Sequence, residues 1–320
     1  MTEMKATRFG YSEGLLQLAA ADERIVVLDA DLAKSTTTER FRERYPDRFY
    51  DVGIAEQNML GVAAGLSLVG YVPFVSTYGV FLSGRAWDQI RTTICYGDLN
   101  VKMGGAHGGV SVGPDGATHQ SLEELALTRV LPNMTVLAPA DYEETIKATK
   151  AAAAIDGPVY VRFGRAPVPV VTTPEDPFVV GRANRYRWDG GASDVTIIST
   201  GAMLSPALQA SDRLAAHGIG ARVLNMHTIK PLDVEAVQAA AEETGAIVTM
   251  EEHQINAGLG GAVAECLVEN CPVPMERIGV RDRFGESGEP EELYVLFGLT
   301  ADNVVEAALR VIGRKKRSCR

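Results

Sequence analysis

The residues from 57 to 84 include no charged side chain. A run of that length has the hydropathy of a membrane-spanning helix. Five glycines and Pro73 interrupt it, however, and the segment from Val72 to Val75 is typical of a buried strand. The run therefore predicts a helix and a strand in the core of an α/β domain, rather than a membrane span.

The rest of the chain also alternates between apolar strand-like runs and helix-like runs. The predicted elements include a helix from Val80 to Tyr96, a helix from Tyr142 to Ala154 and a strand from Val159 to Arg162. Such alternation predicts a parallel sheet with helices on both faces. The proline-rich passage from Pro167 to Pro177 interrupts it, and a second α/β set starts near Val195. A length of 320 residues suits two domains. We predict an α/β fold with two domains, each with a mostly parallel sheet flanked by helices: residues 1–165, a linker at 166–190, and residues 191–320.

Composition excludes several classes of partner. The net charge of −10 argues against nucleic acid or an anionic membrane surface. The four cysteines show no CxxC or Cys/His spacing, so we predict no metal site on this chain. The polar start, from Met1 to Gly10, has no signal peptide. Together these features predict a cytoplasmic protein with reduced thiols.

Glu56 lies between a glycine turn at Gly53 and an uncharged helix predicted from Asn58 to Val69. An acid at a helix start complements the helix dipole, which is explanation enough for its position. The uncharged run that follows cannot solvate the side chain, and burial favours the neutral form of a carboxylic acid. A neutral buried acid can donate a hydrogen bond to a basic nitrogen.

A glycine-rich loop from Gly104 to Gln120 follows the predicted strand from Val101 to Met103. Its glycines allow the backbone to approach a ligand closely, and ligands gather where parallel strands end. The loop carries His107, Asp115 and His119 and has no zinc or Walker pattern. We therefore predict that it binds a small molecule.

The string Gly53-Ile54-Ala55-Glu56-Gln57-Asn58 resembles the glutamate motif of transketolase-like thiamine diphosphate enzymes. The string Asp115-Gly116-Ala117-Thr118-His119-Gln120 resembles their substrate loop. The resemblance covers essentially the whole chain and implies a pyrimidine-binding domain followed by a transketolase C-terminal domain. It implies that Glu56 bonds a ring nitrogen of the aminopyrimidine and favours the tautomer that removes the thiazolium proton.

The same resemblance implies roles for nine further residues. His119 and Asp115 would bond hydroxyls of the sugar donor and assist proton movement. Phe81 would stack on the aminopyrimidine, with Tyr78 as the second choice, and Asp31 would lie near the thiazolium. The substrate phosphate would be bound by a set of four residues: Arg8, Ser35, His107 and Arg162.

The diphosphate-binding half of the family has no counterpart in this chain. That half carries a Gly-Asp-Gly string before a metal-binding segment, whereas Gly97-Asp98 is followed here by Leu99-Asn100. The resemblance thus implies a split enzyme. An N-terminal diphosphate-binding subunit would bind Mg²⁺ or Ca²⁺, two copies of each subunit would form an α2β2 assembly, and a two-carbon ketol unit would pass from a ketose phosphate to an aldose or aldose phosphate.

Three alternatives remain. The β subunit of a 2-oxo acid dehydrogenase shares the domains and the glutamate, but the phosphate set and the string from Asp115 to Gln120 disfavour it. A deoxyxylulose phosphate synthase keeps all its domains in one longer chain. A regulatory half without catalysis has no reason to keep Glu56, Asp115 and His119.

Overall fold

The computed structural model describes residues 3–187 and 193–318, with side chains described as far as residue 315. It contains a seven-stranded and a five-stranded sheet, both mostly parallel and flanked by helices. The predicted fold class is confirmed. The last residues of the predicted linker, 188–190, and the first two of the predicted second domain lie outside the described residues.

The strands alternate with helices through most of the chain. They are β1 (Met4–Ala6), β2 (Ile25–Asp29), β3 (Phe49–Asp51), β4 (Val72–Tyr78), β5 (Lys102–Ala106), β6 (Thr135–Leu137), β7 (Val159–Phe163), β8 (Pro167–Pro169), β9 (Asn184–Tyr186), β10 (Val195–Ser199), β11 (Ala221–Asn225), β12 (Thr228–Lys230), β13 (Ile247–Gln254) and β14 (Met275–Val280).

The α-helices cover the two large sheets. They are α1 (Thr7–Ala21), α2 (Ala33–Thr36), α3 (Glu39–Arg44), α4 (Glu56–Leu68), α5 (Gly79–Arg85), α6 (Trp87–Gln89), α7 (Glu124–Arg129), α8 (Tyr142–Ala154), α9 (Leu204–Ala216), α10 (Val234–Thr244), α11 (Leu259–Asn270), α12 (Pro290–Leu296) and α13 (Ala301–Ser318). Short 3₁₀ helices lie at Pro46–Arg48, Val110–Asp115 and Gly201–Met203, and a π-helix at Ile90–Cys95.

The seven-stranded sheet has the order β12-β6-β7-β5-β4-β2-β3. Its strands run parallel except β12, which pairs antiparallel with β6 although it comes from the second half of the chain. The five-stranded sheet has the order β14-β13-β10-β11-β9, with β9 antiparallel at one edge. One strand of the second half therefore completes the sheet of the first.

The predicted linker is more ordered than the sequence suggested. β8 pairs antiparallel with β1, so that Met4 lies opposite Pro169. Proline lacks a backbone N–H but is tolerated in such an edge pair. β9, also within the predicted linker, joins the second sheet.

The helix predicted from Val80 to Tyr96 is divided into three pieces. α5 ends at Arg85, the backbone at Ala86 departs from helical geometry (φ −107°, ψ 17°), and a π-helix starts at Ile90. The Trp87 indole donates a hydrogen bond to the Leu127 carbonyl oxygen (3.0 Å), which connects this break in the helix to α7.

The uncharged run of residues 57–84 forms α4, β4 and most of α5, as predicted. The side chains of Met59, Leu60 and Val75 are fully buried in one hydrophobic cluster. Among the described residues, no helix is both long and apolar enough to cross a bilayer.

Candidate active site

Three predicted site residues and one further residue, Arg165, lie at the ends of four neighbouring strands of the first sheet. Asp31 follows β2, Tyr78 ends β4, His107 follows β5 and Arg165 follows β7. The four strands are adjacent and parallel. Their carboxyl ends therefore place these residues at one edge of the sheet.

Tyr78 is the centre of this cluster, with a side chain that is only 5 % exposed. Its hydroxyl lies 3.4 Å from Ser35 Oγ and 3.5 Å from Asp115 Oδ2, and it can donate its single proton to either oxygen. Its ring lies edge-on to the rings of His107 (4.7 Å between centroids) and His119 (5.6 Å). One aromatic side chain thus brings together four residues that the sequence assigned to substrate binding.

Phe81 extends the aromatic surface of Tyr78. The two rings are nearly parallel, with centroids 5.7 Å apart, and His119 contacts the Phe81 ring as well, at 5.3 Å. His119 Nδ1 forms a hydrogen bond with Thr118 Oγ1 (2.9 Å), which fixes the plane of the imidazole.

Glu56 begins α4 and is 4 % exposed. Its Oε1 lies 3.3 Å from Nη1 of Arg85, and the Arg85 guanidinium covers the Phe81 ring at 4.3 Å from its centroid. Glu56 and Phe81 therefore lie on either side of one guanidinium. An aminopyrimidine requires a carboxyl group that can bond a ring nitrogen and an aromatic ring on which it can stack. Glu56 and Phe81 supply these two groups, so they fit the ring end of thiamine diphosphate. Arg85 was not among the predicted site residues.

His107 is completely buried and has a left-handed backbone conformation (φ +56°). Neither ring nitrogen makes a well-aligned hydrogen bond. Burial, and to a smaller extent the positive charges of Arg8 and Arg165, together lower the pKa of this imidazole to about 3, against an opposing contact with the Ser35 backbone. Buried polar groups normally have a hydrogen-bond partner. A ligand bound beside the guanidinium groups of Arg8 and Arg165 would provide one for His107.

Two arginines form the positive part of the cluster. Arg8 Nη1 donates to the Ser35 carbonyl oxygen (3.1 Å), and burial, followed by the charge of Arg165, lowers the pKa of Arg8. Arg165 Nη1 forms an ion pair with Asp115 Oδ2 at 2.8 Å. The sequence reasoning missed Arg165, although its position just past the end of β7 was a signal for it.

Arg162, which was predicted to bind phosphate, is engaged elsewhere. It is 5 % exposed, and its Nε donates to Glu124 Oε1 (2.5 Å) and its Nη2 to the Glu252 carbonyl oxygen (2.6 Å). Arg162 lies within β7, whereas Arg165 lies beyond it. Arg162 therefore joins the two domains, and Arg165 is the arginine of this strand end that lies beside Asp115.

Asp31 is exposed and also has a left-handed conformation (φ +62°). Its backbone N–H donates to Asp51 Oδ1 (3.1 Å), and the same oxygen accepts from Gly53 N (3.0 Å). This contact links the Asp31 loop to the turn before Glu56. No group of three or more potential metal ligands occurs in the described part of the chain.

Comparison with protein families identifies both domains. The family described as "Transketolase, pyrimidine binding domain" matches residues 3–170, and "Transketolase, C-terminal domain" matches residues 183–304. The chain belongs to the transketolase family. Its pyrimidine-binding domain implies dependence on thiamine diphosphate.

Among individual proteins, the chain is similar to components of split transketolases. It is 47 % identical to the 6-deoxy-6-sulfo-D-fructose transketolase subunit SqwH of Clostridium sp. (strain MSTE9), over 95 % of this chain and 94 % of that one. It is 41 % identical to one of the subunits of the apulose-4-phosphate transketolase of Phocaeicola vulgatus, over 97 % of this chain and 98 % of that one. A solved structure, "Split gene transketolase, inactive beta4 tetramer", is 48 % identical with a TM-score of 0.90, over 97 % and 99 %.

Proposed function

We propose that this chain is the second subunit of a split transketolase that moves a two-carbon ketol unit from an anionic ketose to an aldose. The observation that carries the proposal is the Tyr78 cluster. It joins the sugar-binding candidates Asp115 and His119 to the anion-binding candidates Ser35 and His107, beside an aromatic face and a buried carboxyl group.

Thiamine diphosphate supplies the nucleophilic carbon for this chemistry. Glu56 would hold a proton against the aminopyrimidine, and Phe81 would support that ring, with Tyr78 behind it. Asp31 would lie near the thiazolium. Asp115 and His119 would bond the sugar hydroxyls, and His119, which forms a hydrogen bond with Thr118, would move a proton.

The substrate would carry an anionic group at its far end. Two guanidinium groups, Arg8 and Arg165, together with a neutral imidazole and the Ser35 hydroxyl, suit a tetrahedral oxyanion. The relatives' names specify one sulfonated and one phosphorylated sugar. We propose a sugar phosphate as the substrate, and the activity test below compares it with a sugar sulfonate.

The partner surface would include one face of α4. Leu68 at the end of this helix is 72 % exposed, and neither Gly61 nor Gly65 has a neighbouring atom within 4 Å of the position of a Cβ. An uncharged glycine-containing helix face that is open to solvent favours close packing with another protein. We propose that an N-terminal diphosphate-binding subunit covers it in an α2β2 assembly and binds most of the Mg²⁺ or Ca²⁺.

Gly65→Gln tests the partner surface. The side chain has space in the isolated chain, and replacing a helical glycine stabilises a helix. We expect the variant to fold but to lose at least tenfold in affinity for the diphosphate-binding subunit, in a sedimentation or calorimetry measurement. Gly313→Gln, at an exposed position near the end of α13, is the matched control. Unchanged association of the Gly65 variant would refute this surface.

Activity is tested with the full chain and the diphosphate-binding subunit of the same genome, purified separately and mixed with thiamine diphosphate and Mg²⁺. A ketose phosphate, a ketose sulfonate and an uncharged ketose are compared as donors. We expect turnover only in the mixture and a preference for an anionic donor. Turnover by this chain alone, or equal use of the uncharged ketose, would contradict the proposal.

A further inference from the structure

The glycine loop, defined here as residues 107–120, lies between the two domains. Its Val110 is fully buried in the hydrophobic cluster of the second domain, together with Ile197 and Leu293. Leu122, just beyond the loop, belongs to the same cluster. The loop that carries the candidate substrate ligands is thus anchored in the core of the other domain.

Glu252 of β13 is the main polar support of the loop. It is 2 % exposed, and its Oε1 accepts a hydrogen bond from the Ser111 backbone N–H (2.6 Å). Gly109 has φ +91°, and a Cβ there would lie 2.3 Å from Cδ of Glu252. The loop backbone at Gly109 therefore lies so close to the Glu252 carboxyl group that no residue with a Cβ would fit there. Tyr294 of α12 donates to the other carboxyl oxygen (3.4 Å).

Gln120 closes the loop at its other end. The side chain is 3 % exposed, and Nε2 donates both to the Val110 carbonyl oxygen within the loop (3.0 Å) and to the Glu286 carbonyl oxygen of the second domain (2.8 Å). A Cβ at Gly285 would lie 1.6 Å from Gln120 Oε1. The side-chain amide therefore fills a space that the second domain leaves for it.

These contacts constrain the residues that face the substrate. His107 starts the loop with a left-handed backbone conformation. Residues other than glycine adopt this conformation mainly where the surrounding structure holds them in it. Asp115 ends the 3₁₀ helix whose first turn contains Val110 and Ser111. A shift of the loop off Glu252 would move both His107 and Asp115.

We propose that the C-terminal domain acts as the support of the glycine loop, with Glu252 and Gln120 as positioning residues for the anionic sugar. Neither side chain needs to touch the substrate. The claim that these residues position the sugar rests on the proposed function. The claim that the second domain holds the loop does not.

The first test uses the full chain alone and amide hydrogen exchange. Gln120→Met keeps the side-chain length and removes both hydrogen bonds. We expect amide exchange in the loop to become at least tenfold faster, because the variant loses both hydrogen bonds that hold the loop closed. Exchange in α4 should not change. Gln209→Met, on the exposed face of α9, is the matched control. Unchanged exchange in the loop overturns the proposal.

The second test measures kinetics in the assembled enzyme. We expect Gln120→Met to raise KM for the anionic donor about tenfold with kcat nearly unchanged. Glu252→Gln, which keeps the shape and weakens the bond to Ser111, should act in the same direction if the first variant folds poorly. A fall in kcat with an unchanged KM would mean a loss of folded enzyme only, and would overturn the positioning role. Faster loop exchange in a chain that turns over no sugar would refute the proposed function while supporting the role of the second domain in holding the loop.

Discussion

Arg165 and Asp115 form an ion pair, with 2.8 Å between Nη1 and Oδ2. The same carboxyl oxygen accepts the hydroxyl of Tyr78 at 3.5 Å. The acid proposed to bind sugar hydroxyls is therefore held by the guanidinium proposed to bind the anionic end. Under the proposed function, recognition of the two ends of the substrate would be linked through this single contact.

Arg165→Met is expected to raise KM for an anionic ketose about tenfold to a hundredfold, because hydrogen bonds to charged groups contribute about 1.5–3 kcal/mol. The KM for an uncharged ketose should change much less. Initial rates in the assembled enzyme measure both. Arg213→Met, which removes an ion pair with Asp302 in the second domain, is the control. An equal loss for both donors would show that Arg165 supports the fold rather than the anion.

Glu56→Gln should leave the fold intact and reduce turnover at least a hundredfold, because a positioned acid contributes about a hundredfold to ten-thousandfold and glutamine has no acid proton. Circular dichroism checks the fold, and initial rates check turnover. Glu39→Gln, in the first turn of the exposed helix α3, is the matched control. Near-normal turnover of the Glu56 variant would refute the cofactor assignment.

Arg162→Met tests whether this arginine is structural, as its contacts indicate. Removing one partner of the buried pair leaves the Glu124 charge unpaired, so we expect the free energy of unfolding to fall by about 3–5 kcal/mol in urea. The double variant Arg162→Met with Glu124→Leu should recover most of that loss. Additive effects of the two substitutions would contradict the pairing.

The stability of the chain should fall in mild acid because of His107. Its folded pKa of about 3 lies below the unfolded value of 6.5, so the unfolded chain binds the extra proton between these values and unfolding becomes easier as pH falls. The slope is up to about 1.4 kcal/mol per pH unit. His107→Asn, which tolerates the left-handed backbone, should show a shallower slope in urea unfolding between pH 4 and 7. Parallel curves for the two proteins would count against a buried neutral imidazole.

Much of the fold was predictable from local pattern. The helix Tyr142–Ala154 has the predicted bounds because Asp141 caps it, accepting from Glu144 N. The strand β14 was missed because its first half is only partly buried at a sheet edge, so that it lacks a continuous apolar run. The pairing of β12 with β6 joins residues nearly a hundred positions apart, and no local pattern encodes it.

The site was predictable where a motif carried it and not elsewhere. The motif strings pointed to Glu56, Asp115 and His119, and the structure joins these three to one cluster through Tyr78, Phe81 and Arg85. The choice between Arg162 and Arg165 depends on where β7 ends, which the sequence predicted one residue too early. Arg85 was missed because its contact with Glu56 follows from how α5 ends beside the start of α4.

The antiparallel pairing of β12 with β6 limits where a gene for such an enzyme can be divided. Separate expression of the two halves would leave β6 as an unprotected edge, open to pairing with other chains. Evolution can separate the diphosphate-binding domain from this chain, but a break between the two domains described here would expose a strand that invites aggregation.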